Sequence, residues 1–174
     1  MFVRDLLNRA ERVDTFDQQS AAAARLVRRI LGKSPGISGL LRGSWLGHPV
    51  HPLAVTVPIG AWVSAPVLEL AFDQPETARR VVGFGLLATV PAITAGLADL
   101  AGLGTAQRRV AALHALSNGL SASCFLIAYV RRSRHGHPAG RLWAGLGLAT
   151  VSIGGALGGH LSYAQGAGVY RWQD

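Results

Sequence analysis

The amino-acid sequence predicts an all-α integral membrane protein: an up-down four-helix bundle with an N-terminal amphipathic helical extension. Three observations carry that expectation. Four apolar runs of about 20 residues each are present, the length an α-helix needs to cross a hydrocarbon core of about 30 Å. Charged residues make up only 15% of the 174-residue chain and fall mostly outside those runs, where an ordinary soluble domain carries about a quarter. The connections between runs are short, which makes successive helices antiparallel neighbours.

Residues 1–44 read as one or two amphipathic helices lying on the membrane surface. Phe2, Val3, Leu6, Leu7, Ala10 and Val13 recur at helical spacing, and Leu26, Val27, Ile30 and Leu31 form a second apolar face with arginines between. Gly32-Lys33-Ser34-Pro35-Gly36 breaks the segment. Asp5, Glu11, Asp14 and Asp17 interrupt the first 20 residues, so no secretory signal is read there and an internal span is expected to direct insertion. The membrane domain is expected over 45–174. Its first run is Leu53–Phe72, with Pro58, Pro66 and Glu69. The second is Val81–Leu103, with Pro91 and Asp99. The third, Val110–Val130, holds His114 and Asn118, and the fourth, Leu142–Tyr163, holds His160. Internal prolines are tolerated in membrane helices because neighbouring groups re-satisfy the freed carbonyls. Gly154/Gly158 and Gly155/Gly159, with Gly83, Gly85, Gly145 and Gly147, are placed for close helix packing. Thr-Val-Pro recurs at Thr56–Pro58 and Thr89–Pro91, too short an echo to define an internal repeat.

Composition excludes several classes. The net charge of +8 comes from arginines that flank apolar spans, which fits anionic headgroups and not nucleic acid. Cys124 is the single cysteine, so disulfides, multi-cysteine iron–sulfur or zinc motifs and c-type haem attachment are ruled out within the chain. No hydrolase elbow, His-Glu-x-x-His helix or phosphate loop is present. Four short helices without midplane charges offer no conduction path unless the chain forms a homo-oligomer. The larger share of Lys and Arg lies with the N-terminus, the second connection and the C-terminus, which points to an N-in, C-in multi-pass protein.

The candidate site follows from topology. Up-down connection places the start of the first and third helices and the end of the second and fourth on one side. Gly47-His48-Pro49-Val50-His51-Pro52 stands at the first entrance, with prolines that set a non-helical approach. Asp99 lies about one turn before the end of the second helix. His114 and Asn118 share one face of the third, and His160 and Tyr163 close the fourth. Ionisable groups within spans are rare and usually functional, so these residues are expected to share a site. His135 and His137, in the opposite connection, read as ordinary loop residues.

The Gly-His-Pro-x-His-Pro entrance, Gly96-Leu97-Ala98-Asp99-Leu100, His114-Ala115-x-x-Asn118 and Gly158-Gly159-His160-Leu161-x-Tyr163 resemble a family of small bacterial four-helix membrane proteins of unknown function, over about residues 45–170. The resemblance implies a bacterial cytoplasmic membrane. It also implies a redox setting, because such proteins are often fused to, or encoded beside, Rieske-type iron–sulfur domains. The chain departs from that family at Thr56, where relatives often carry histidine. At His160 many carry glutamate, which weakens His160 as an obligatory ligand.

Four chemistries fit the constellation. Haem b would take axial imidazoles from His114 and one of His48, His51 or His160, with Arg42, Arg108 and Arg109 near its propionates. A non-haem transition metal would use His48, His51, Asp99 and His114, with Asn118 and Tyr163 supporting the ligands. A His/Asp proton- or quinone-linked relay needs neither. A scaffold subunit would use the same polar network to set helix register.

Overall fold

In the computed structural model, residues 2–134 and 137–169 are described, without the side chains of 133–137. Among them the structure is helices and short connections, with no strand. The extension forms α1 (Phe2–Ala10), α2 (Asp17–Leu31) and α3 (Pro35–Arg42). The membrane domain follows as α4 (Val50–Ala54), α5 (Thr56–Leu70), α6 (Pro75–Leu100), α7 (Thr105–Arg134) and α8 (His137–Gly159), with a π-helical turn at His160–Ala164.

Four helical stretches are long and apolar enough to span a bilayer: Val50–Leu70, Pro75–Leu100, Thr105–Arg132 and Pro138–Ala164. All four begin earlier than the apolar runs read from the sequence, at residues 50, 75, 105 and 138 against 53, 81, 110 and 142. Pro49 supplies the extended residue before α4, so His51 sits inside the first helical turn and not ahead of it. Pro75 opens α6 at a position where its missing N–H costs nothing. α4 and α5 form one span that breaks at Val55. Pro58, three residues on, lacks the N–H that would bond the Ala54 carbonyl.

The bundle is two tight hairpins, α5 with α6 and α7 with α8, packed more lightly on each other. The interior is small: Ala61, Ala65, Ala78, Ala92, Ala95, Ala98, Ala128 and Ala144 are all buried. Leu53, Val63, Phe84, Leu87, Ile93, Leu120, Leu142 and Ile153 are exposed along the outside. This inversion is what lipid requires, since apolar surface gains nothing by leaving hydrocarbon and helices associate through close backbone approach. Trp62 and Phe125 stack in the core with centroids 4.3 Å apart. Ser117 and Ser121 donate to the carbonyls of Thr150 and Gly147 at 2.7 and 2.8 Å, tying α7 to α8.

The extension lies against the bundle. α1 contacts α7, α2 contacts α6 and α7, and α3 contacts α6. Ala10 is buried with Val110 and Leu157, and the Arg109 guanidinium grips both oxygens of Asp17 at 2.6 and 2.9 Å. That hydrogen-bonded cation holds the Asp17 carboxyl below the usual carboxylate range. One apolar face of the extension is thus spent on the bundle itself.

Candidate functional site

His51 and His114 meet between the two hairpins. Their ring centres are 6.0 Å apart and the planes stand at 85°. His51 reaches the second helix, with Nδ1 2.8 Å from the Ala92 carbonyl. His114 does the same on the fourth, with Nδ1 2.8 Å from the Gly154 carbonyl. A carbonyl only accepts, so each Nδ1 carries its proton and donates. In the neutral ring that leaves Nε2 with its lone pair. This is the tautomer in which an imidazole acts as a ligand through Nε2, steadied from the other nitrogen.

Glycine makes the approach possible. A Cβ at Gly96 would stand 2.9 Å from Cε1 and Nδ1 of His51, and one at Gly158 would stand 2.9 Å from Cε1 of His114. Gly154 likewise clears Asn118, whose amide oxygen would be 2.5 Å from an added Cβ. Packing alone therefore does not explain the Gly154/Gly158 pair, which makes room for polar side chains. Gly145, Gly155 and Gly159 have nothing within 4 Å. Asn118 caps the pair from one turn deeper. Its Nδ2 donates to the His114 carbonyl at 2.9 Å and lies 3.2 Å from His114 Nε2.

The remaining candidates share this end of the bundle without joining the pair in one cluster. His48 is exposed, and its Nδ1 lies 3.1 Å from the carbonyl of its neighbour Pro49. His160 is buried and turned toward the extension, its Nε2 2.7 Å from Glu11. The π-helical turn begins at His160 and delivers it there, a local widening often found where a side chain is re-aimed. Tyr163 is 92% exposed. Among the described residues, no three His, Cys, Asp or Glu side chains are grouped closely enough to hold a metal ion. The expected set of His48, His51, Asp99 and His114 is therefore not assembled. Arg109, expected near propionates, is engaged by Asp17, and Arg108 donates to the Leu103 carbonyl and Thr105. His135 lies outside the described residues, as does the side chain of His137.

A second polar cluster occupies the opposite end. Glu69 and Arg132, each with a side chain 1% exposed, pair at 2.5 Å, and half-exposed Arg141 reaches the other Glu69 oxygen at 2.9 Å. Hydropathy marks these as span-end charges and says nothing of their meeting. The partner of His160, Glu11, also escaped the reading of the sequence, because it lies in the extension 149 residues away.

Fold and site together define a multi-pass membrane protein of four helices, with a histidine pair between two helical hairpins near one membrane face. Residues 47–171 match the family described as "Predicted membrane protein (DUF2231)", a family of unknown function, and the chain belongs to it. No curated protein and no solved structure matches it.

Proposed function

We propose that this protein is a redox-associated membrane subunit that holds one haem b between His51 and His114. The observation that carries the reading is the number and preparation of the donors. Two imidazoles are presented, each proton-steadied at Nδ1 by a carbonyl of the following helix, and no third histidine or carboxylate is grouped with them among the described residues. A bare ion asks for about four ligands, whereas haem brings four nitrogens of its own and would ask the protein for one or two imidazoles. His51 and His114 would be the residues to hold it.

Bound haem would supply one-electron transfer. The chain's own part is orientation. The Ala92 and Gly154 carbonyls fix the tautomer, Gly96 and Gly158 fix how closely each ring approaches its helix, and Asn118, 3.2 Å from the His114 Nε2, would turn away to its other partner, the His114 carbonyl, when a ligand takes that nitrogen. A Rieske-type iron–sulfur protein is the electron partner this reading favours, and the bacterial cytoplasmic membrane is the setting.

The test is an absorption spectrum and metal analysis of protein purified in mild detergent from haem-replete cells, followed by hemin titration. A Soret band that disappears in His51→Ala and His114→Ala but survives in His48→Ala and His160→Ala supports the reading. A colourless protein that takes up no hemin overturns it.

A second reading has its own observation. Each histidine already stitches the two helices of its hairpin through a hydrogen bond, so the pair also serves as a structural staple. On that reading alone, the alanine variants lose stability and no spectral feature.

A further inference from the structure

Three pairs of side chains meet between the first and third spans: His51 with His114, Trp62 with Phe125, and Glu69 with Arg132. The members of every pair stand 63 positions apart in the chain. Their surroundings repeat too, at a spacing of 62 on the second helix of each half and of 63 for Ala65 and Ala128. The carbonyls that hold the two histidines belong to Ala92 and Gly154, and the glycines that clear their rings are Gly96 and Gly158. Gly85 sits against Trp62, where an added Cβ would be 2.5 Å from Nε1, and Gly147 sits against Phe125, at 2.7 Å from Cε2. Ala65 and Ala128 are both fully buried. Arg79 and Arg141 begin the second helix of each half. The Thr-Val-Pro echo links the first and second spans and has no part in this register.

We infer that the membrane domain is two copies of one helical hairpin, residues 50–104 and 113–166, paired about an axis along the membrane normal, and that Glu69–Arg132 is the device that makes unlike copies pair. The first and third spans run in the same direction, so the repeat is parallel, and an axis along the normal is the one that relates such halves. Each hairpin's inner face fits a second hairpin of the same build. Two first hairpins would bury Glu69 against Glu69, and two second hairpins Arg132 against Arg132. Only the mixed pair neutralises itself. Like charges confronted in a low-dielectric interior reject the wrong partner, which is specificity by repulsion. The inference stands apart from any cofactor.

Pseudo-symmetry makes a sharper statement about the arginines. Arg141 supports Glu69. Its counterpart Arg79 is held by Glu76 and lies 4.9 Å over the Tyr129 ring, one turn from Arg132. If the halves are copies, a carboxylate moved to position 132 finds Arg79 waiting.

The experiment uses the full chain in mild detergent, reading the monodisperse fraction by size exclusion and the unfolding midpoint. E69R and R132E alone are expected to lose the monodisperse peak, and E69R/R132E to recover it. In that swapped background R79A abolishes the recovery and R141A does not. In the native background R141A lowers the midpoint and R79A does not. A swap as poorly folded as the single variants overturns the inference, and so does a recovered swap that needs Arg141 or does without Arg79.

Discussion

The two ends of the bundle set the same helices to different work. At one end, equivalent positions carry the same residue, His51 facing His114. At the other they carry opposite charges, Glu69 facing Arg132. At the histidine end each ring is held through Nδ1 by a carbonyl, of Ala92 and of Gly154, and Asn118 lies 3.2 Å from the His114 Nε2. At the charged end Glu69 and Arg132 neutralise each other, although Arg132 Nε and Nη1 are buried without a hydrogen-bond partner among the described residues. On the proposed function, ligand chemistry belongs to the histidine end and cohesion to the charged end.

The sharpest way to break the comparison is to unpair the charged end. Arg132→Leu takes the buried cation from Glu69 and leaves half-exposed Arg141 on its other oxygen. Removing one member of a buried ion pair costs about 3–5 kcal/mol, so a large drop in unfolding midpoint in detergent is expected, with the histidine end's spectrum unchanged wherever folded protein remains. A smaller effect is expected at the glycines under the rings. Gly96→Ala and Gly158→Ala each force an imidazole out of position at about 1–3 kcal/mol of overpacking and shift or remove any Soret band. Gly155→Ala, with nothing within 4 Å, is expected to change neither.

Substituting the paired histidines comes next in stability and, on the proposed function, first in spectroscopy. His51→Ala loses one hydrogen bond, worth about 0.5–1.5 kcal/mol, and on that proposal all of any haem absorption. If stability falls far more than absorption, the two ends do the same job and the comparison fails. The mildest change is at the extension. Arg109→Ala releases Asp17 and is expected to speed protease cleavage between α1 and α2 without moving the bundle's midpoint. Because the Asp17 carboxyl is held low by Arg109, the clasp is complete above the ordinary carboxylate pKa. It is lost only as pH falls through the depressed value. Protease sensitivity of the native chain should therefore stay flat from neutral to mildly acidic pH and rise below it, and the Arg109→Ala chain should lack that rise.

Much of the fold is legible in the sequence. Span number, all-helical class and antiparallel order follow from run length and connection length, which are local properties of the chain. That His51 and His114 lie at one end was legible for the same reason. Which histidines meet was not. His160 shares the depth of His114, yet its π-helical turn and the docked α1 aim it at Glu11. The extension's amphipathic pattern was visible, but the same pattern serves a lipid surface or a bundle, and only contacts through Ala10 and Asp17 show that it docks. The inferred repeat was hard to see because few of its positions in the first and third spans keep the same residue; Trp62, for example, stands opposite Phe125.

By itself, then, the sequence determined four apolar helices, their order, and the end at which the histidines gather, because hydropathy and spacing act along the chain. The tertiary structure alone decided the rotation of each helix about its axis. That rotation pairs His51 with His114, sends His160 elsewhere and closes Glu69 on Arg132, because side-chain partners across a bundle are chosen by close packing at glycine and alanine and not by depth in the membrane.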